Sequence, residues 1–595
     1  MNEAVRFPGS LKHDSEEMQS GPTNRGRRFG HIVSVTGSQV IVVLERNSYN
    51  PSANNSDRVA IGTLVVIQTP LALVVGMVSE TSSPMPEMGT ENESIRLIEL
   101  YLAGEIPRGE SNAKLVFHRG VSNFPTIGDR VRECNSEELA CIYGRPDAPI
   151  IEVGTLFQDR SIPAQLLLDE MLGKHFIIVG NTGTGKSCAL KLILRQSLEG
   201  NDHAHIVVLD MHNEFADTFG DKANLLNPSN LRLPFWLLNF QEICSVLTTD
   251  GPNRDTEIEI LSDAIVFAKR NQISYMTGRG GRLGDGATIA VDTPSPYRLA
   301  EVLSYLTEQM GRLERTNATL PYRKLKARIE ALVSDTRFSF MFGGLTVEDN
   351  MTELLGDLFR IPTNGKPITL IDLSSIPWDV LDVVISLIAR LAFDLGVWCK
   401  GKLPVLLICE EAHRYAPASS DGGFIPTRGA LARIAKEGRK YGISLGLVTQ
   451  RPSELDPTII SQCSTIIAMR LSTERDQKVV DANSQDGGLE FLDFLPILGE
   501  RQAIVLGQGA PMPMRVQFHD IGDSVLTSQD DRKFSVAWKD PSIGHKELEA
   551  VVSRWRDSGR SASKSLETSQ TSAAQDGGST KLYSRIRRPS LNSSD

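Results

Sequence analysis

Three kinds of hydrophobic patterning follow one another along the chain. From about residue 29 to 143 the apolar positions come in short runs. Val33 and Val35 nearly alternate, residues 40–44 follow after Gly37, and further runs occupy 59–67, 71–78, 95–103 and 130–132. Short runs at this spacing, broken by Gly and Asn turns, predict strands of a small β-barrel. From about Ile150 the runs become unbroken apolar blocks at 176–180, 206–210, 368–373, 405–409, 443–449, 465–469 and 503–506. Blocks without alternation are the pattern of strands covered on both faces, as in a parallel sheet. Between about 227 and 365 the period turns helical, in segments 255–270, 295–315 and 323–334. The sheet is therefore expected to assemble from both sides of a helical insertion. The predicted organisation is a flexible arm at 1–27, a barrel at 28–147, an α/β domain at 148–525 with its insertion at about 227–365, and a C-terminal extension at 526–595. The Ser-, Thr- and Arg-rich stretch 556–595 is expected to be disordered.

Length and charge narrow the possibilities. A chain of 595 residues is too long for one hydrophobic core, and 40% hydrophobic with 23% charged residues is an ordinary globular composition. With 63 Lys and Arg against 73 Asp and Glu, a formal charge of −10 excludes a general polyanion binder, so any nucleic-acid contact has to be local. The seven cysteines are scattered without a C-x-x-C pair, which speaks against a metal cluster or disulfide framework and fits a reducing cytoplasm. The N-terminus lacks the apolar stretch of a signal peptide. Two apolar segments, 63–79 and 383–398, are interrupted by Gln68 and Pro70 and by Arg390 and Asp394, and read as a strand pair and a core helix rather than membrane spans.

The sharpest chemistry follows the first unbroken block. Phe-Ile-Ile-Val at 176–179 runs directly into Gly-Asn-Thr-Gly-Thr-Gly-Lys-Ser at 180–187, and a helical pattern begins at Cys188. Strand, G-x-x-x-x-G-K-[ST] loop and helix together make a nucleoside-triphosphate site. Gly180, Gly183 and Gly185 let successive backbone N–H groups, including those of Asn181, Thr182, Thr184 and Cys188, turn around phosphates at a helix N-terminus. Lys186 supplies a point charge to the β- and γ-phosphates of ATP, and the Ser187 hydroxyl can hold Mg²⁺.

A second block, Leu-Pro-Val-Leu-Leu-Ile-Cys at 403–409, ends in Glu410 and Glu411. In an open parallel sheet such strand ends face the ligand crevice. Glu410 is the candidate for the Mg²⁺ shell, and Glu411 the candidate for polarising the attacking water. Gln450, at the end of the 443–449 block, is placed to sense the γ-phosphate or hold that water. The basic run Arg433, Lys436, Arg439, Lys440 precedes it, and Arg439 is a candidate arginine finger reaching a neighbouring subunit's phosphates. Two Gly-rich basic loops, 279–282 and 420–428 with Arg428, are candidate DNA contacts.

These motifs in order resemble the HerA family. The resemblance rests on the barrel pattern, the phosphate loop, Val-Leu-Asp-Met-His-Asn-Glu-Phe at 208–215, Ile-Asp-Leu-Ser-Ser-Ile-Pro at 371–377, Glu-Glu-Ala-His-Arg-Tyr at 410–415, and Glu-Gly-Arg-Lys-Tyr-Gly-Ile-Ser-Leu-Gly-Leu-Val-Thr-Gln-Arg-Pro-Ser at 437–453. It covers roughly residues 28–525. It implies a RecA-like P-loop core behind a barrel similar to that of rotary ATP synthases, and a homo-hexamer that threads double-stranded DNA and docks a nuclease or sirtuin-like effector. The implied role is DNA end processing or antiphage defence. A scaffold ATPase that gates an effector, and a conjugation- or secretion-type ATPase, remain as alternatives. Where many relatives carry Asp before the catalytic glutamate, this chain has Glu410. Asp210, His212 and Glu214 match a family segment near the nucleotide without an assigned role.

Overall fold

The computed structural model describes residues 28–37, 39–45, 59, 61–83, 96–108, 115–144, 148–248, 250–276, 289–312, 318–343, 348–419, 424–484, 490–520, 548–549 and 551–552. The proposed arm 1–27, all but four residues of the extension 526–595, and the loops 279–282 and 420–423 lie outside them. The described residues divide into two compact units.

The first unit is a barrel. Its strands are β1 (Arg28–Thr36), β2 (Gln39–Leu44), β3 (Leu64–Gln68), β4 (Ala72–Ser82), β5 (Leu97–Pro107), β6 (His118–Arg119) and β7 (Arg130–Glu133). The antiparallel order β2-β1-β7-β3-β4-β5 closes when β5 pairs back onto β2, and β6 is added at β5. Alternation in the sequence becomes inside and outside: along β5, Ile98 and Leu100 are fully buried while Leu97, Glu99 and Tyr101 are only partly so. With Ile32, Val40, Val42, Val65, Ile67, Val74 and Val131 they fill the interior. Closure leaves these six strands no open edge.

The second unit is an α/β domain on one mixed sheet. Its strands are β8 (Ile150–Leu156), β9 (Pro163–Leu167), β10 (Phe176–Val179), β11 (Ile206–Asp210), β12 (Ala223–Leu226), β13 (Ile368–Asp372), β14 (Val405–Cys409), β15 (Ile443–Thr449), β16 (Thr465–Ala468), β17 (Gln502–Gly507) and β18 (Met514–Phe518). The order is β12-β13-β11-β14-β15-β10-β16-β17-β18-β8-β9. The run from β12 to β16 is parallel, and β16 onward continues as an antiparallel meander. Neighbours β12 and β13 are separated in sequence by a helical insertion that includes Phe240–Leu247, Arg254–Met276, Leu299–Arg312 and Leu320–Ser334. Glu242 ties it down by accepting from Ser386 Oγ at 2.8 Å and pairing with Arg390 Nη2 at 3.0 Å, both on the helix Trp378–Trp398.

Burial explains why the site-bearing strands are rigid. All four residues of β10 are at most 1% exposed, and each buried aliphatic or aromatic side chain contributes roughly 1.5–3 kcal/mol. The loop that leaves β10 at Gly180 therefore starts from an anchored point. Among the described residues no helix is long and apolar enough to cross a membrane; the segment 383–398 lies within the Trp378–Trp398 helix, buried along much of its length.

Candidate active site

Parallel register puts several strand ends at one edge of the sheet. Val179 of β10 lies beside Thr449 of β15, and Asp210 of β11 beside Asp372 of β13. The loop Gly180–Gly185 and the polar ends of β11, β14 and β15 consequently converge, as expected for the carboxyl edge of an open α/β sheet.

The loop passes into the helix Lys186–Ser197, with Ser187 and Cys188 half-buried in its first turn. Gly183 and Gly185 have φ of 74° and 99°, the left-handed region that side chains avoid. A Cβ at Gly183 would meet nothing within 4 Å, so that face of the loop is open. The Lys186 ammonium donates to Asn181 O at 3.1 Å and is 7% exposed. Burial pulls its pKa below the usual lysine range, while Glu411, Glu214 and Glu410 pull it back up.

Three carboxylates, Glu411, Glu214 and Glu410, act on this lysine, Asp210 lies beside Glu410, and the four are not equivalent. Asp210 is committed to the backbone: it accepts from the N–H groups of His212, Glu214 and Phe215 at 3.2, 3.2 and 3.0 Å, which bends the chain as it leaves β11. That gives the Asp210 match a structural account the sequence lacked. Glu410 is 3% exposed and accepts from Met211 N at 3.2 Å. Burial first, then the nearby Asp210 and Glu214, push its pKa up to about 10.

Glu411 is set by its backbone. Its φ of 48° is left-handed, a strained state for a glutamate that clusters at functional sites. Its Oε1 accepts from the Gln450 amide, whose own Oε1 accepts from Thr182 Oγ1 at 2.5 Å. A continuous chain thus joins loop tip, Gln450 and Glu411. The other oxygen, Oε2, is buried, has no hydrogen-bond partner among the described residues, and has His413 Nδ1 at 3.4 Å. His413 also meets Thr449 Oγ1 at 3.0 Å. Sequence reasoning missed the link from Thr182 through Gln450 to Glu411, which is made across the strands β10, β15 and β14, and it left His413, two residues beyond Glu411 in the same turn, without a role.

The donor set suits a hard cation. Hydroxyl and carboxylate oxygens are what Mg²⁺ prefers, and the crowding that raises the Glu410 pKa is a charge problem that a divalent ion at that carboxylate relieves.

Other sequence candidates lie elsewhere. Arg439 is exposed in the single turn Gly438–Tyr441 that precedes β15, at the opposite end of that strand from Gln450. Seven residues of strand separate them, roughly 23 Å at ~3.3 Å per residue, so Arg439 cannot reach the loop of its own chain. Arg433 stacks over Phe393 at 4.2 Å, and Arg451 pairs with Glu454 at 2.7 Å. Arg428 stands in the first turn of the helix Ile425–Glu437, its Nε 3.8 Å from Asp456, rather than in a glycine-rich loop.

Comparison with known proteins bears on this edge directly. The family described as "Helicase HerA, central domain" matches residues 151–392. The DNA double-strand break repair helicase HerA of Pyrococcus furiosus is 26% identical over 439 residues, covering 66% of this chain and 73% of that one. The protein of the same name from Saccharolobus solfataricus is 23% identical over 492 residues, covering 80% and 90%. Among solved structures, VirB4 of Thermoanaerobacter pseudethanolicus aligns with a TM-score of 0.45 at 15% identity over 63% of this chain and 98% of that one. The family match opens at β8 and runs through the phosphate loop into the Trp378–Trp398 helix, and the archaeal relatives extend the likeness to between 66% and 80% of the chain; over this region the chain is similar to the HerA helicases.

Proposed function

We propose that this chain is an ATP-driven translocase of double-stranded DNA, working in the cytoplasm as a homo-hexameric ring beside a nuclease or sirtuin-like effector in end processing or antiphage defence. The observation that carries the hydrolytic part is Glu411: strained into place, held by Gln450 through one oxygen, and left with the other buried near Lys186 and without a hydrogen-bond partner among the described residues. The DNA part is supported by the relatives, named as DNA double-strand break repair helicases.

In this reading the N–H groups of Gly183 and of residues 185–188 hold the phosphates, Asn181 N and Thr184 N being bonded to Arg470 O and Asn181 O, and Lys186 moves from Asn181 O to the β- and γ-phosphate oxygens. Ser187 and Glu410 would hold Mg²⁺, which when bound spreads the charge developing on the β- and γ-phosphate oxygens. Glu411 Oε2 accepts a hydrogen bond from the attacking water and orients it in line with the γ-phosphate. Gln450 keeps Glu411 in the correct rotamer and is displaced from Thr182 when the γ-phosphate enters. Arg439, out of reach of its own loop, acts on the neighbouring subunit's phosphates and makes turnover depend on ring assembly.

The test is a steady-state ATPase assay with and without duplex DNA, on protein sized by light scattering. Several-fold stimulation by duplex in a hexameric fraction is expected. A ring whose turnover ignores DNA would remove the translocase and leave an effector-gating ATPase.

A further inference from the structure

The phosphate loop has two flanks. In the sheet order β14-β15-β10-β16-β17, the carboxylates of β14 and Gln450 of β15 lie on one side of β10. A triphosphate whose γ end faces Glu411 must direct its α-phosphate and nucleoside toward the other side, where β16 and β17 lie. That flank is also bonded to the loop. Asn181 N donates to Arg470 O at 2.9 Å, and the Asn181 amide to Ser472 Oγ at 2.6 Å. At the loop's exit, Arg501 N donates to Thr184 O at 3.0 Å. The Arg501 Cγ lies 3.1 Å, and its Cα 3.6 Å, from where a Cβ on Gly185 would stand.

Arg501 itself has φ of 58°, a left-handed conformation at a non-glycine residue on the turn before β17. Its O accepts from Phe518 N at 2.9 Å, which fixes the backbone. Its guanidinium is not buried in a structural network: the side chain is 33% exposed, and Nη1 rests 2.6 Å from Asp520 Oδ2, itself 60% exposed. A left-handed backbone thus holds a partly exposed arginine against the last glycine of a phosphate loop, its guanidinium paired with a solvent-facing carboxylate.

We propose that Arg501 is a nucleotide-binding residue supplied by the same chain, which leaves Asp520 to bind the α-phosphate of the bound nucleotide. This rests on the ATP site proposed above and adds a second cation, on the nucleoside side, to Lys186 on the γ side. An arginine suits this position because its planar fork can take two phosphate oxygens at once. Asp520 competes with the nucleotide for it, so occupancy of the site is felt by the chain that leaves β18.

The two partners therefore have opposite predicted effects. Arg501→Ala weakens ADP binding by about tenfold or more, the scale of a lost hydrogen bond to a charged group, and raises KM for ATP with kcat changed far less. Arg501→Lys recovers part of the affinity. Asp520→Ala tightens ADP binding by a few-fold, since the competitor is gone. Binding is read by titration of the full chain with ADP, with thermal melting to establish that each variant is folded. An exposed pair contributes little to stability, so both variants are expected to melt near the parent. Unchanged ADP affinity in a folded Arg501→Ala protein overturns the proposal, and so does a loss of affinity in Asp520→Ala that parallels it. If the parent itself bound no adenine nucleotide, the ATP site and not the assignment of Arg501 would have failed first.

Discussion

The two edges of the parallel sheet are built from the same buried strands, yet they treat polar groups in opposite ways. At the amino edge, His175 just before β10 is fully satisfied: Nδ1 accepts from Leu445 N at 2.9 Å and Nε2 donates to Ala435 O at 3.1 Å. Burial pulls its pKa down to about 4, so it is neutral and saturated. At the carboxyl edge, Lys186 rests on a loop carbonyl, the pKa of Glu410 is driven up to about 10, and Glu411 Oε2 has no hydrogen-bond partner among the described residues. Polar groups in a folded interior are normally paired, so a cluster that is buried and incomplete marks where a ligand completes the set. The amino edge holds the sheet together, and the carboxyl edge carries most of the proposed chemistry.

The comparison can be broken by removing one group at a time. Lys186→Ala is expected to lower ATP turnover by more than about a thousandfold, since the phosphates lose the charge aimed at them from the loop; residual hydrolysis within tenfold of the parent would dissociate the carboxyl edge from catalysis. Arg439→Ala tests the one amino-edge residue assigned to hydrolysis. Turnover should fall about a thousandfold with ADP binding intact, and rings mixed with Lys186→Ala subunits should regain activity. Absence of rescue in rings shown to be mixed would return Arg439 to a purely structural edge.

Glu411→Gln should bind ATP and hydrolyse it about a hundredfold more slowly, whereas wild-type turnover would shift the role to Glu410. Gln450→Ala keeps the carboxylate and loses only its positioning, so a loss of about tenfold is expected, with little change in ATP affinity. A Gln450→Ala protein as slow as Glu411→Gln would instead mean that the amide contacts the reacting groups itself.

The smallest effect on turnover belongs to His175 and is read as stability. Its folded pKa of about 4 lies below the ordinary 6.5, so between those values the unfolded chain binds a proton that the native one refuses. Stability therefore falls as pH drops from about 6.5 to about 4, by roughly 3 kcal/mol at ~1.4 kcal/mol per unit. In His175→Gln, less stable at pH 7, this slope should vanish; melting across that pH range measures it, and an unaltered slope would assign the acid sensitivity to other groups.

Much of this was legible along the chain because it is local. A phosphate loop is defined by a strand end, three glycines, a lysine and a hydroxyl within eight residues, and the geometry follows from backbone conformation alone. The unbroken apolar blocks at β10, β11, β13, β14, β15 and β16 announced buried parallel strands, and the barrel strands announced themselves by alternation. Short or polar strands did not. β6 has two residues, β9 begins with Pro, and β8, β12 and β18 carry polar positions where the meander and sheet edge admit them.

What the sequence by itself determined was which residues could do chemistry: a lysine after glycines, two glutamates after a buried strand, an amide after another. The tertiary structure alone decided which of them meet. That Gln450 links Thr182 to Glu411, that Asp210 serves the backbone, that Arg439 faces away from its own loop and that Arg501 stands against Gly185 all depend on strand order and register. These are long-range pairings between segments far apart in the chain, chosen by how whole strands pack, and no local pattern of residues encodes them.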